Sequence, residues 1–210
     1  MNINRYRTEQ ERFWAGEFGA GYRDRNGGAE LVAANVAFFA RILSRTAGVG
    51  TVLELGANRG LNLLALRTLL PNAKFAAVEI NAEACGEMRE LGFVNVEEGS
   101  LLEGAPRGPA DLVLIKGVLI HLPPDQLATA YDMAYRSAAK YVVFAEYYNP
   151  TPVTIPYRGH DDRLFKRDFA GEMLDRHRDL VLVDYGFAYR RDPVFSQDDI
   201  TWFLMEKRGT

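Results

Sequence analysis

The stretch Val52-Leu53-Glu54-Leu55-Gly56-Ala57-Asn58-Arg59-Gly60 decides how this chain folds: an apolar run reaches a carboxylate, breaks on two glycines and restarts at once as an amphipathic helix. Glycine carries no Cβ, so Gly56 and Gly60 can turn the chain sharply and let backbone approach a ligand. Beyond the loop, Leu61, Leu64, Ala65, Thr68 and Leu69 share one face at i, i+3, i+4 spacing, which predicts a helix docked on a sheet. Lys74-Phe75-Ala76-Ala77-Val78-Glu79 then reads as a second strand ending in an acid, where a βαβ unit presents a carboxylate to ribose hydroxyls.

The loop departs from the dinucleotide pattern. A pyrophosphate site needs G-x-G-x-x-G, so that backbone N–H groups and a helix N-terminus face phosphate. Here the spacing is E-x-G-x-x-x-G, and Glu54 beside a diphosphate would repel it. A cofactor lacking phosphate and carrying a positive group fits better. On Glu54, Gly56, Asn58, Gly60 and Glu79 the chain resembles the Rossmann-like S-adenosylmethionine-dependent methyltransferases. That resemblance implies S-adenosylmethionine as cofactor, with these five residues binding it. The competing reading is an ordinary βαβ turn with incidental glycines.

Composition agrees. With 210 residues and 48% hydrophobic content, the chain suits one α/β domain over residues 1–210. Its parts are an N-terminal lid and helix (1–46), a cofactor-binding core (47–147), a substrate insertion and helix (148–178) and C-terminal strands (179–210). A net charge of −3 gives no general pull toward nucleic acid or an anionic membrane. One cysteine, Cys85, excludes an intrachain disulfide, and three scattered histidines argue against a zinc site, so no metal is expected. Met1-Asn2-Ile3-Asn4-Arg5-Tyr6-Arg7 lacks an apolar h-region and no run approaches the ~20 apolar residues of a membrane span, so a cytoplasmic location is expected. The pattern leaves the oligomeric state open.

Strand and helix signals alternate to about residue 147. Helices are expected at 28–46, 61–70, 82–91, after Pro123-Pro124-Asp125, and at 166–176. Strands are expected at 51–55, 74–79, 93–97, 111–116, 141–147, 180–189 and 199–206, with an irregular Pro and Gly stretch at 149–160. The alternation implies a doubly wound, Rossmann-like seven-stranded sheet with an antiparallel C-terminal hairpin, the methyltransferase type of α/β fold.

In such sheets ligands lie outside the carboxyl ends of the strands. Ser100 and Leu101, after the third strand, fall where the resembled family holds adenine. Lys116 closes an apolar strand and needs a partner or an exit. It meets a cofactor or substrate anion, snorkels to solvent, or pairs with Glu146. His121 is a candidate general base or, equally, a helix-entry residue bonded to backbone. The segment Phe13 to Asn26, dense in aromatics, glycines and charges, reads as a lid. In it Tyr22, Arg25 and Asn26 suit the cofactor's carboxylate or a substrate anion, while Trp14 and Phe18 read as hydrophobic anchors before adenine stackers. After the fifth strand, Tyr147-Tyr148-Asn149-Pro150 and Tyr157 to Phe169 read as an acceptor pocket. Arg158, Arg163, Lys166 and Arg167 suit phosphate or carboxylate, and His160 is also a substrate contact. The competing reading is a solvated loop of locally paired charges.

Phe13-Trp14-Ala15-Gly16-Glu17-Phe18-Gly19, Tyr22 to Asn26, Glu54 to Gly60, Gly159 to Glu172 and Asp198 to Lys207 together resemble the pseudaminic acid biosynthesis-associated methylases, over residues 10 to 207. The resemblance implies a methyl acceptor linked to a nucleotide sugar or surface glycan. The expected reaction is in-line transfer of a methyl group to an oxygen or nitrogen of a small anionic acceptor. His160 and His121 lead as bases, with Asp161 and Tyr148 behind them, and no spacing selects among them. A non-catalytic cofactor-binding protein and a nicotinamide-dependent reductase are the rival classes.

Overall fold

The computed structural model describes residues 6–16, 28–104, 108–156 and 164–209. Helix α1 (Glu9–Ala15) is followed by α2 (Ala29–Leu43), β1 (Thr51–Leu55), α3 (Leu61–Leu69), β2 (Lys74–Glu79), α4 (Ala82–Glu90), β3 (Val94–Glu98) and β4 (Ala110–Lys116). Two short 3-10 turns, Leu119–His121 and Pro124–Gln126, lead into α5 (Leu127–Ser137) and β5 (Ala138–Glu146). The strand pair β6 (Val153–Thr154) and β7 (Phe165–Lys166), helix α6 (Phe169–Arg176), β8 (Leu180–Ala188) and β9 (Ile200–Lys207) complete it. The seven-stranded sheet runs β3-β2-β1-β4-β5-β9-β8. Strands β1 to β5 pair in parallel, whereas β9 is antiparallel to both β5 and β8.

Burial explains this order. Leu112, Val113, Leu114 and Ile115 are all at most 2% exposed, because a central parallel strand is covered on both faces. Alternate residues feed two cores. Leu53, Leu55, Val113, Ile115 and Phe144 join Tyr131 and Ala134 of α5 and Phe169 and Met173 of α6. Val52, Leu112, Leu114 and Val143 join Phe38, Phe39 and Ile42 of α2 and Leu63 and Leu66 of α3. The sheet is therefore doubly wound, as the alternation of elements implied.

Three expectations shift. The helix expected at 166–176 begins at Phe169, because Asp168 caps it by accepting from the Gly171 amide at 2.8 Å, while Phe165 and Lys166 extend into β7. The stretch expected to be irregular supplies the partner strand β6. The strand expected at 141–147 begins at Ala138, directly where α5 stops. A seven-residue helix at Glu9–Ala15, inside the expected lid, is fixed by a capping box: the Glu11 amide donates to Thr8 Oγ1 at 3.1 Å and the Thr8 amide to Glu11 Oε2 at 2.7 Å.

The two loop glycines serve the protein before any ligand. Gly56 and Gly60 have φ of 81° and 77°. A Cβ on Gly56 would come within 2.5 Å of Val118 Cγ2, and one on Gly60 within 3.1 Å of Met88 and Leu91. Gly117, with φ 68°, has open space around it. Gly56→Ala should thus combine backbone strain with overpacking and cost roughly 2–4 kcal/mol in urea unfolding, against about 1–2 kcal/mol for Gly117→Ala. Equal losses would contradict the packing role of Gly56.

Candidate functional site

Strand β1 has β2 on one side and β4 on the other. The chain thus winds away from it in both directions and opens a crevice at the strands' carboxyl ends. A cleft of about 760 Å³ lies there, lined by loop residues Gly56 to Arg59, by Glu79 and Asn81, by Ser100 and Leu101, by Lys116 to His121, and by α1.

One wall is organised by Glu79. Its Oε2 accepts from the Asn58 amide at 2.7 Å and its Oε1 from the Asn81 amide at 2.8 Å. Burial holds this carboxyl above its usual range. Three other loop amides are also spent within the protein. Gly56 N–H donates to Val78 O at 2.8 Å, Ala57 N–H to the same oxygen at 3.4 Å, and Gly60 N–H to Ala57 O at 2.9 Å. Asn58, with φ 48°, holds a left-handed conformation that this bonding stabilises. Next along, Ser100 Oγ accepts from the Leu102 amide at 3.0 Å, so the turn after β3 offers the cleft the remainder of Ser100 and the Leu101 side chain.

Beneath the cleft lies a cluster of buried ionisable groups. Glu54, with no exposed surface, accepts from Asn62 Nδ2 at 2.6 Å through Oε1, and its Oε2 has no hydrogen-bond partner. Glu146, 3% exposed, accepts from the Val118 and Leu119 amides at 2.9 and 3.0 Å through Oε1, and its Oε2 is likewise unpartnered. Desolvation raises both carboxyls to about 8. Lys116 stands on β4, the strand between those carrying the two acids, with Nζ 5.8 Å from the Phe38 ring centre. Burial lowers its pKa, and the carboxylates of Glu54, Asp198 and Glu146 oppose that in decreasing order. Lys116 lines the cleft, and Glu54 acts on it more strongly than Glu146 does. Glu54 itself does not line the cleft: strand alternation points it under the loop toward α3.

Helix α1 closes one side. Trp14 lines the cleft with its ring centre 4.4 Å from that of His121, and its carbonyl accepts from Asn81 Nδ2 at 3.3 Å. Trp14 therefore anchors the helix across the cleft against His121. Arg7 ties the other end of the segment to the Leu102 carbonyl at 3.3 Å. His121 lines the cleft, and its amide donates to Val118 O at 2.9 Å in a 3-10 turn. Gln10 and Glu11 also line the cleft, and Glu11 Oε1 has no hydrogen-bond partner.

The opposite side was not legible. Arg190, Ser196, Gln197 and Asp198, from the turn between β8 and β9, reach the cleft beside Tyr147. Gln197 Nε2 donates to Asn35 Oδ1 of α2 at 3.0 Å, both side chains being buried, and Tyr147 donates its hydroxyl proton to Asp198. Tyr148, expected as a base, points the other way: it is 42% exposed and its ring lies 5.9 Å from that of Phe203. Period-two alternation after β5 gives the cleft position to Tyr147. Lys166 does not line the cleft, and its Nζ sits 5.1 Å from the Tyr147 ring centre, at the margin. Phe18, Tyr22, Arg25, Asn26, Arg158, His160, Asp161 and Arg163 lie outside the described residues. Among the described residues there is no cluster of side chains suited to a metal ion, and no helix is long and apolar enough to cross a membrane.

No family model and no curated protein matches the chain. Solved structures do. The mitomycin 7-O-methyltransferase superposes with a TM-score of 0.69 at 15% identity over 96% of this chain, which spans only 61% of that enzyme's length. An S-adenosylmethionine-dependent methyltransferase of Leishmania major gives 0.72 at 16% identity, covering 95% of this chain and 82% of that one. The plantazolicin methyltransferase in complex with S-adenosylhomocysteine gives 0.66 at 10% identity, covering 95% and 94%. At these identities the likeness establishes the fold: this is the methyltransferase type of α/β sheet.

The buried acids set a pH dependence. Glu54 ionises near 8 in the fold against 4.5 for the free side chain, so the unfolded chain sheds its proton first. Stability from this group is full below 4.5 and is lost as pH rises through about 8. Glu54→Gln keeps an acceptor for Asn62 without a charge to bury. It should match the native protein below pH 4.5 and exceed it above pH 8 by on the order of 2 kcal/mol in denaturant unfolding. A variant less stable than the native protein above pH 8 would sink the assignment.

Proposed function

We propose that this chain is an S-adenosylmethionine-dependent methyltransferase acting on oxygen or nitrogen of a small anionic acceptor. The observation that carries the reading is the loop from Gly56 to Gly60, in which the amides of Gly56, Ala57, Asn58 and Gly60 go to Val78, Glu79 and Ala57 of the protein itself. A diphosphate needs those amides or fixed cations. The arginines that line the cleft are paired, Arg59 with Glu87 at 2.6 Å and Arg190 with Asp199 at 3.3 Å, its half-buried lysine is depressed by burial, and a cation above the neighbouring acids favours their ionised form. A phosphate-free, cationic cofactor suits such a site, and solved structures of the same fold are methyltransferases, one of them with S-adenosylhomocysteine.

In this reading Glu79, fixed by two amides, offers its remaining lone pairs to the ribose hydroxyls. Ser100 and Leu101 border the adenine, and Asn58, Lys116 and the floor acids lie by the amino-acid end, whose carboxylate suits the hydroxyl, guanidinium and amide chemistry of Tyr22, Arg25 and Asn26. Bound there, the cofactor supplies an activated sulfonium methyl. The protein's own task is to align the acceptor atom behind that methyl, exclude water and receive a proton. His121 is the best-placed base, its ring held against Trp14 inside the cleft. Of the other candidates His160 and Asp161 are carried by their residue chemistry, and Tyr148 acts at most from outside the cleft. Lys116 and Lys166, with Arg158 and Arg163, favour an anion. Together with the resemblance noted above, they support a sugar or nucleotide sugar.

Calorimetry tests the core of this. S-Adenosylhomocysteine should bind at one site, NAD(H) should give no heat, and Glu79→Ala should weaken the former at least tenfold, about 1.4 kcal/mol. Release of S-adenosylhomocysteine over a panel of anionic sugars, nucleotide sugars, amino acids and small peptides then identifies the acceptor. Binding of NAD(H) without binding of S-adenosylhomocysteine would overturn the reading.

A further inference from the structure

Among the described residues, most of the exposed large apolar side chains belong to one edge strand and the turn after it. Every large hydrophobic side chain exposed among the described residues lies either between 148 and 155 or between 182 and 195. Strand β8 ends the sheet, and no other described strand pairs with its outer side. Along it Tyr185 is 63% exposed, Phe187 53% and Tyr189 48%, alternating with the half-buried Gly186 and Ala188. Three ring contacts knit the patch together: Phe203 lies 6.3 Å from Tyr185 and 5.9 Å from Tyr148, while Phe187 lies 6.1 Å from Tyr189. The turn that follows adds Val194, 71% exposed, and Phe195, 47%.

Natural sheets protect an open edge with lysine, proline or a charge aimed along it. β8 holds no lysine or proline, and its single charge, Asp184, is paired with Arg45 at 3.3 Å. A register irregularity interrupts β8 between Leu182 and Asp184, but from Asp184 to Ala188 it pairs regularly with β9 and leaves a straight outer edge. At roughly 150–250 Å² for a whole aromatic side chain, the exposed parts of Tyr148, Tyr185, Phe187, Tyr189 and Phe195 with Val194 amount to about 500–700 Å² of mostly apolar surface, most of the ~800 Å² per partner of a stable interface. It lies at the upper end of the roughly 300–600 Å² of the largest patch on an ordinary monomer.

We propose that β8 and the turn after it form the two-fold interface of a homodimer, with the regular half of β8 running antiparallel to the same strand of a second copy. A second copy is the occupant that matches both features at once, because antiparallel pairing of identical strands is isologous and sets each aromatic row against its own symmetry mate. The turn between β8 and β9 also lines the cleft through Arg190, Ser196, Gln197 and Asp198. The interface therefore buttresses the wall of the cleft opposite α1.

Sedimentation velocity and light scattering across the micromolar range test this on the full chain. The native protein should run at twice the chain mass. The double variant Tyr185→Lys and Phe187→Lys should run at the chain mass with unchanged circular dichroism, and Glu90→Lys on the far side of the sheet should stay dimeric. Hydrogen exchange supplies a readout that needs no variant: the amides from 184 to 188 should lose protection as the native protein is diluted. A native protein that is monomeric throughout, or a double variant that remains folded and dimeric, overturns the proposal. Concentration-independent exchange over 184 to 188 overturns it as well.

Discussion

The carboxylate of Glu79 is the joint on which the cleft depends. It stands at the end of β2 and draws in the amide of Asn58 from the first loop and that of Asn81 from its own. Two N–H groups on one buried carboxylate make charge-assisted hydrogen bonds, each on the order of 1.5–3 kcal/mol. They hold Asn58 at a positive φ and fix where Gly56 and Gly60 turn. Asn81 then spends its side chain on capping α4, accepting from Ala84, and on holding the carbonyl of Trp14, so α1 is tied to the same joint. Loop shape and the position of α1 are one network.

A second constraint is the placing of acids at the ends of β1 and β5 with a lysine on the strand between. Taking carboxyls out of water costs free energy that raises their pKa, and each has one oxygen without a hydrogen bond. The cost leaves a floor whose charge responds to what binds above it, since a cationic ligand makes ionisation favourable.

The C-terminal hairpin has a less obvious part. Because β9 runs antiparallel to β5, the β8–β9 turn is returned to the same end of the sheet as the loops that follow the parallel strands. It carries Asp198 and Gln197 to the cleft, where Gln197 is locked to Asn35 of α2. Gly186 permits that hairpin to close: a Cβ there would come within 2.8 Å of the Trp202 indole. The edge left by the same topology is the aromatic surface of β8.

The local pattern by itself determined the seven strands, their alternation with helices, the two turning glycines, and the acid at the end of β2. These follow from hydrophobic period and from turn chemistry, which act over a few residues, and they placed Gly56, Asn58, Glu79, Ser100, Leu101, Lys116 and His121 around one crevice. It also contained an unread signal, the Thr8-x-x-Glu11 box that starts α1. Only the tertiary structure decided that Glu54 lies under the loop, that Tyr147 and not Tyr148 faces the cleft, and that Asp198, Gln197 and Asn35 meet there. Those outcomes depend on which residue of an alternating strand faces which neighbour and on contacts across as many as 162 positions of chain. No local period encodes such contacts, because their free energy exists only after the sheet has closed.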